Sequence, residues 1–271
     1  MSHSLFENNV LKKLKVFKEK KILVCMSGGL DSTVLAHLLL NNNFKISVAH
    51  VNYSIRGNES LKNEKFVRNF CKSNNLKFYL KKLSKGELNK SIQIEARKIR
   101  YDWFKKILIK YNYDLIITAH HLDDNVENIL IGMFRNPSRN NLTLIPELNK
   151  NILRPILNEK KDHIISYARA NEIEFSVDSS NSKDYFLRNR IRNILIPEIE
   201  KIDKNFTNKI SEIIELVRST KNDFVTDNLF IKKLDYIEVN KQDLQNEKSL
   251  KYFIENLKSF NFYNKKEILN F

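Results

Sequence analysis

Apolar and polar positions in the first half of the chain alternate between two periods. Residues 21–26 (KILVCM), 44–51 (FKISVAHV), 76–83 and 115–118 (LIIT) are short apolar runs, as expected of strands covered on both faces. Between them apolar residues recur at helical intervals over 32–40, from the capping residue Asn58 to about 74, over 91–111, and from about 124 to 134. In the third of these helices the repeat is Ile92, Ala96, Ile99, Trp103, Ile107 and Leu108. The opening segment, MSHSLFENNVLKKLKVFKEKK, reads as a short basic amphipathic helix leading into the first strand. Strands alternating with helices predict an α/β fold: a doubly wound, mostly parallel, Rossmann-like sheet of about five strands, with ligands at the strands' carboxyl ends.

The pattern weakens after Phe134. Residues 136–151 are polar, carry two of the four prolines and read as a loop. Residues 153–157 lead to a helix near 159–171, and 174–177 are expected to form a last edge strand. The stretch 179–192 is polar and arginine-rich. From about 197 to 219, Ile199, Ile202, Phe206, Ile210, Ile213, Ile214 and Val217 recur at helical spacing. A boundary is therefore placed near Ile196, with 1–196 as the main domain and 197–271 as a small, mostly helical appendage.

Charge adds a partner to this picture. Lys and Arg number 47 against 32 Asp and Glu, a formal net charge of +15, which favours a polyanionic partner, nucleic acid or an anionic membrane surface. Codon drift toward A and T would also enrich lysine. No apolar run reaches the length of about 18 residues needed to span a membrane, and the first residues lack a signal-peptide core. Cys25 and Cys71 form neither a C-x-x-C motif nor a disulfide framework, and Cys25 reads as a packed core residue. A reducing cytoplasm fits these features, and no membrane partner is expected.

The sharpest chemical signal is Ser27-Gly28-Gly29-Leu30-Asp31-Ser32, between an apolar strand and a helix. Two glycines permit a sharp turn and close backbone approach, while the helix N-terminus and serine hydroxyls face an anion. Asp31 beside bound phosphates makes sense with Mg²⁺ between them. No lysine follows the glycines, so this is not a Walker A loop. The same turn could also be a plain strand-to-helix connection with Asp/Ser capping.

Further candidates end other strands. His50 and Asn52 project to one face of strand two, either toward a nucleotide or as hydrogen-bonded strand-end groups. Arg97 and Arg100 share a helix face suited to phosphate or carboxylate recognition, or to solvent. The segment 118–128 (TAHHLDDNVEN) gathers His120, His121, Asp123, Asp124 and Glu127 within eight residues. Asp124 and Glu127 lie one turn apart and could hold Mg²⁺ or a substrate ammonium, while a structural zinc site lacks cysteines. The acids also suit a helix N-terminus. Finally Arg188, Arg190 and Arg192 follow Tyr185 and Phe186, a set suited to RNA backbone or ATP phosphates, or to a solvated turn.

Together these blocks resemble the tRNA(Ile)-lysidine synthetase family of PP-loop ATP pyrophosphatases. The matching order is SGGLDS, HVN, EARKIRY, TAHHLDDNVE, LRP at 153–155, and DSSN followed by LRNRIR, over roughly residues 20–200. The resemblance implies a PP-loop ATP-binding catalytic domain over 1–196 and a tRNA-contacting appendage over 197–271. It implies a two-step reaction. ATP adenylates O2 of the wobble cytidine in an isoleucine tRNA with a CAU anticodon, and the ε-amine of free lysine then attacks carbon 2, expelling AMP. By resemblance, Ser27, Gly28, Gly29, Leu30, Asp31, Ser32 and His50 contact ATP, and Asp31 holds Mg²⁺. Asp124 and Glu127 bind lysine, Arg97 and Arg100 join Asp31, Asp124 and Glu127 in catalysis, and Arg188, Arg190 and Arg192 contact nucleotide or tRNA. His120 and His121 are candidates for deprotonating the amine by residue type alone. A homodimer stays open.

Three positions depart from the family pattern: Tyr53 replaces a usual histidine, Asn128 a usual threonine, and 135–139 (RNPSR) a usual glycine-rich stretch. The chain is also shorter than many relatives, so the basic catalytic surface and the appendage are expected to share tRNA binding. Two alternatives remain: a PP-loop tRNA thiolase, disfavoured by two distant cysteines, and a PP-loop protein that binds nucleotide or RNA without chemistry.

Overall fold

A computed structural model of the chain describes residues 2–54, 57–83, 92–135, 144–176, 187–223, 231–232 and 237–238. The DSSN stretch (178–181), Tyr185, Phe186, Val177 and the RNPSR positions beyond Arg135 lie outside the described residues. Two compact units emerge, Met1–Thr207 and Asn208–Phe271.

In the first unit, helix α1 (Ser2–Leu14) and a 3₁₀ turn (Lys15–Phe17) precede β1 (Ile22–Cys25). There follow α2 (Leu30–Asn41), β2 (Ile46–Asn52), α3 (Asn58–Ser73), β3 (Phe78–Lys82), α4 (Ile92–Lys110), β4 (Leu115–Ile117) and α5 (Leu122–Arg135). The expected alternation is present. The sheet runs in the order β3-β2-β1-β4-β6-β5, with β1, β2, β3, β4 and β6 mutually parallel. Its chain order reverses between β1 and β4, and a crevice opens at the carboxyl ends of strands at such a point.

Alternation along the strands builds two cores. Ile22 and Val24 of β1, Ile46 and Val48 of β2, and Leu115 and Ile117 of β4 pack with Phe6, Val10, Val34, Leu38, Ile164 and Tyr167. The intervening Leu23, Ala49 and Ile116 pack on the other face with Phe104, Ile107 and Tyr113. A strand buried on both faces shows no polar side, which is why these runs read as continuously apolar.

Two sheet-edge expectations are corrected. Residues 174–176 form no strand; the Ser176 N–H is bonded to Gly28 O (2.8 Å), and its hydroxyl bonds the Asn63 side chain. The edge is instead a hairpin of β5 (Leu148–Asn149) and β6 (Ile152–Leu153), partly within the stretch read as loop. Strands of two residues are too short to display a period. Helix α6 (Lys161–Ala170) follows, then α7 (Leu187–Arg190), a π-helical segment (Ile191–Leu195) and α8 (Ile196–Ile202). Among its described residues the second unit holds most of α9 (Phe206–Asp223) and an antiparallel pair, β7 (Ile231–Lys232) and β8 (Ile237–Glu238). No described helix is long and apolar enough to cross a membrane.

Candidate active site

The turn after β1 adopts a conformation that only glycine takes readily. Gly28 has φ +95°, and a Cβ there would lie 3.3 Å from Val67 Cγ2 and 3.5 Å from the Asn63 carbonyl. Ser32 Oγ accepts from Ser27 N–H (3.1 Å) and lies 3.0 Å from Ser27 Oγ, while Thr33 Oγ1 donates to Gly29 O (2.9 Å). The first amide of α2 to reach back into the turn is Thr33 N–H, bonded to Gly29 O, so the amides of Leu30, Asp31 and Ser32 precede the helical ladder and suit an anion. Gly28→Ala is expected to cost about 1–3 kcal/mol of strain. It should also weaken ATP-analogue binding. Denaturant melts and nucleotide titration check both, and a variant matching the parent would mean that the turn is not built around Gly28.

A cavity of about 240 Å³ opens beside this turn. Ser27, Asp31 and Ser32 line one side, Thr118, His120 and Asp124 another, and Tyr53, Arg100, Tyr101 and Phe104 a third. The residues after β1 and β4 thus meet at the switch point. Cys25 packs against the second core, as expected, and from there also lines the cavity, only partly buried; burial raises its thiol pKa. Cys71 is buried in the opposite core.

Helix α5 starts with a local cap. His121 N–H donates to Asp124 Oδ2 (3.0 Å), so the third residue of the helix reaches back to its cap. Asp123 accepts the backbone N–H of Lys161, and Leu122 N–H donates to Glu159 O (3.0 Å), clipping the start of α6 to the same segment. The Lys161 ammonium then reaches the Asp31 carboxylate in the glycine turn. Lys161 was not singled out in the sequence. It is one of two adjacent lysines at an ordinary helix start, and only the partner 130 residues away singles it out.

The two histidines differ. Burial holds His120 down at about 4, helped by Arg154, Arg97 and Arg100 against the pull of Asp124; its Nδ1 lies 2.9 Å from Thr118 Oγ1. Burial alone would also lower His121, but Asp123, Asp124 and Asp31 outweigh it and raise the pKa. His121 Nε2 is 3.9 Å from both Asp31 and Asp124, and Nδ1 is 3.5 Å from Asp123. Asp124 is held below its ordinary range because His121, His120 and Arg188 overcome the effect of burial.

Glu127 lies fully buried with both oxygens engaged. Arg188 Nε donates to Oε2 (2.6 Å) and Arg192 Nε to Oε1 (2.5 Å), while Arg188 Nη2 also reaches Asp124 Oδ1 (3.0 Å). Arg188 and Arg192, one turn apart, therefore face one acid pair, and Arg190 between them is exposed. His50 does not line the cavity. It is buried beneath the turn, with Nδ1 2.8 Å from Met26 O, and its Nε2 has no partner among the described residues. Arg97 also lies off the cavity, stacked 5.0 Å from the Tyr101 ring centroid. Arg154 of LRP is buried and donates to Pro146 O (2.7 Å), bracing the β5–β6 hairpin.

The sheet order, the glycine turn and the acids at the switch point define a doubly wound α/β protein with a turn suited to an anion. The chain belongs to the PP-loop domain family, which it matches over residues 2–199. It is 35% identical over 216 residues to the tRNA(Ile)-lysidine synthase of Clostridium tetani, covering 76% of this chain and 46% of that protein. It is 34% identical over 243 residues to the tRNA(Ile)-lysidine synthase of Borrelia garinii, covering 84% and 55%. The chain spans about half the length of the curated relatives it matches. Among solved structures, the U34-tRNA thiolase NcsA from Methanococcus maripaludis shares the fold, with TM-score 0.60, 19% identity, and coverage of 79% of this chain and 78% of that one.

Proposed function

We propose that this chain adenylates the wobble cytidine of an isoleucine tRNA with a CAU anticodon and then ligates lysine to it, forming lysidine. The observation that carries this reading is the meeting of the SGGLDS turn with Asp124, His120 and Arg100 around one cavity. Similarity to tRNA(Ile)-lysidine synthases of two bacteria supports the choice of substrate. In the first step cytidine O2 attacks the α-phosphorus of ATP and pyrophosphate leaves. In the second the lysine amine attacks carbon 2, AMP leaves and the amine gives up a proton. The reading places the protein in the cytoplasm, where tRNA, ATP and free lysine meet.

The turn's amides and hydroxyls would hold the phosphates, and the Lys161 ammonium would balance their charge. Asp31 and Asp124 offer hard oxygens on either side of His121, and Mg²⁺ needs only one or two carboxylates when phosphates complete its shell. The ion would supply charge neutralisation of the phosphates. Asp124 and Glu127 are assigned to the lysine ammonium. Their oxygens carry Arg188 and Arg192, so lysine binding exchanges one cation for another. Cys25 packs against one core and Cys71 within the other, an arrangement that does not support a thiolase relying on a cysteine pair.

The decisive experiment incubates the protein with ATP, labelled lysine and isoleucine tRNA bearing a CAU anticodon, followed by nuclease digestion. Label is expected in a modified cytidine, with pyrophosphate released only when tRNA is present. Label recovered entirely as free lysine would overturn the assignment.

A further inference from the structure

Strand β2 ends in a rigid corner. The Asn52 side chain donates to the buried Glu64 (2.8 Å) and accepts the Ser54 N–H (2.8 Å), and Ser54 adopts φ 54°. Such a side-chain-to-backbone turn lets a non-glycine residue take a left-handed conformation. Tyr53, between Asn52 and Ser54, is thereby fixed against the second core and lines the cavity. Its hydroxyl is hydrogen-bonded to Arg100, which reaches the cavity from α4. The guanidinium also lies over the Tyr101 ring, 5.3 Å from its centroid. Arg100 is thus held by two aromatic residues from different elements.

A guanidinium only donates, so the Tyr53 oxygen accepts from Arg100 and keeps its own proton. Accepting a charged donor also polarises that proton. The Tyr101 hydroxyl is buried and has no partner among the described residues. The third wall of the cavity therefore carries a fixed guanidinium and two phenols.

We propose, on the basis of the adenylation reading above, that Tyr53 is a positioning residue: it holds Arg100 toward an anionic oxygen of the nucleotide and donates its own proton to the same ligand. Donors fixed before the ligand arrives stabilise developing charge without reorganising. Tyr53→Phe removes the hydroxyl and keeps the ring, while Arg100→Lys keeps the charge and loses the planar fork.

The test is a double-variant cycle on the full chain with Mg²⁺ and a non-hydrolysable ATP analogue, followed by tRNA-dependent pyrophosphate release. Tyr53→Phe and Arg100→Lys should each weaken analogue binding about tenfold, with an unchanged melting temperature. The double variant should be no weaker than the worse single, and Tyr53→His should recover part of the loss. A structural role alone would lower the melting temperature and leave the two losses to multiply. Losses that multiply, or a Tyr53→Phe protein that binds like the parent, overturn the proposal. If the parent protein binds the analogue but releases no pyrophosphate with tRNA, the adenylation reading fails, and the Tyr53–Arg100 coupling is decided by the binding cycle alone.

Discussion

Lys161→Met is expected to leave the fold intact and lower tRNA-dependent pyrophosphate release by about a hundredfold or more, the usual cost of removing one preorganised donor from developing charge. The side chain is one-third exposed, so its loss leaves no buried hole, and the clip between Asp123 and the Lys161 backbone survives the change. What disappears is the cation beside Asp31. In a turn without the lysine of a Walker loop, Lys161 brings positive charge from another helix to the place where pyrophosphate would depart. Lys161→Arg should restore part of the rate, because charge is retained while reach and shape differ. Pyrophosphate release and thermal melting on the same preparations check both outcomes. A Met variant of near-parental rate would place the phosphates out of reach of α6. Asp31→Ala should lose adenylation with the fold kept, for it removes the carboxylate from the same contact.

That lysine also marks where sequence reading stops. The glycine turn was legible because its chemistry is local: an apolar strand, two glycines and a helix start occur in sequence, and the anion site needs little else. Asp124 was legible for the same reason, since its cap partner His121 is three residues away. The placement of Lys161, by contrast, depends on how α6 docks against α1 and α2. Tyr53 and Arg100 belong to different elements, so their contact is set by the packing of α4 on the sheet. His50 was drawn toward the ligand by strand alternation, yet it sits beneath the turn because Met26 O, just past the end of β1, accepts the Nδ1–H of its ring. The expected edge strand at 174–177 misread a β-prone run whose Ser176 amide is bonded to the glycine turn instead. The longer strands and helices of the first half were visible from their own periods, the two-residue strands were not, and each long-range pairing required the fold.

The acids and arginines behave in the same way, and they yield the second large effect. Glu127→Gln is expected to raise the lysine KM at least tenfold and to lower the melting temperature. The parent carboxylate is 1% exposed and bonded to two guanidiniums that are 36% and 40% exposed. Breaking a buried pair costs about 3–5 kcal/mol when a charge is left uncompensated. Here the arginines keep Asp124 and some water, so the lower end, about 3 kcal/mol, is expected. That corresponds to a fall of roughly 6–12 °C for a domain of this size. The amide keeps the shape of the side chain but turns an N–H toward one of the arginines. Lysine loses a carboxylate at the same stroke, since its ammonium is proposed to replace an arginine at these oxygens. Arg192→Met separates the two effects. It removes one competing cation while Arg188 still holds Glu127, so stability should fall less and the lysine KM should not rise. Steady-state kinetics in lysine, with melting curves for both variants, measure the difference. Equal lysine KM in Glu127→Gln and the parent would confine Glu127 to anchoring the arginines and leave Asp124 alone to receive the amine.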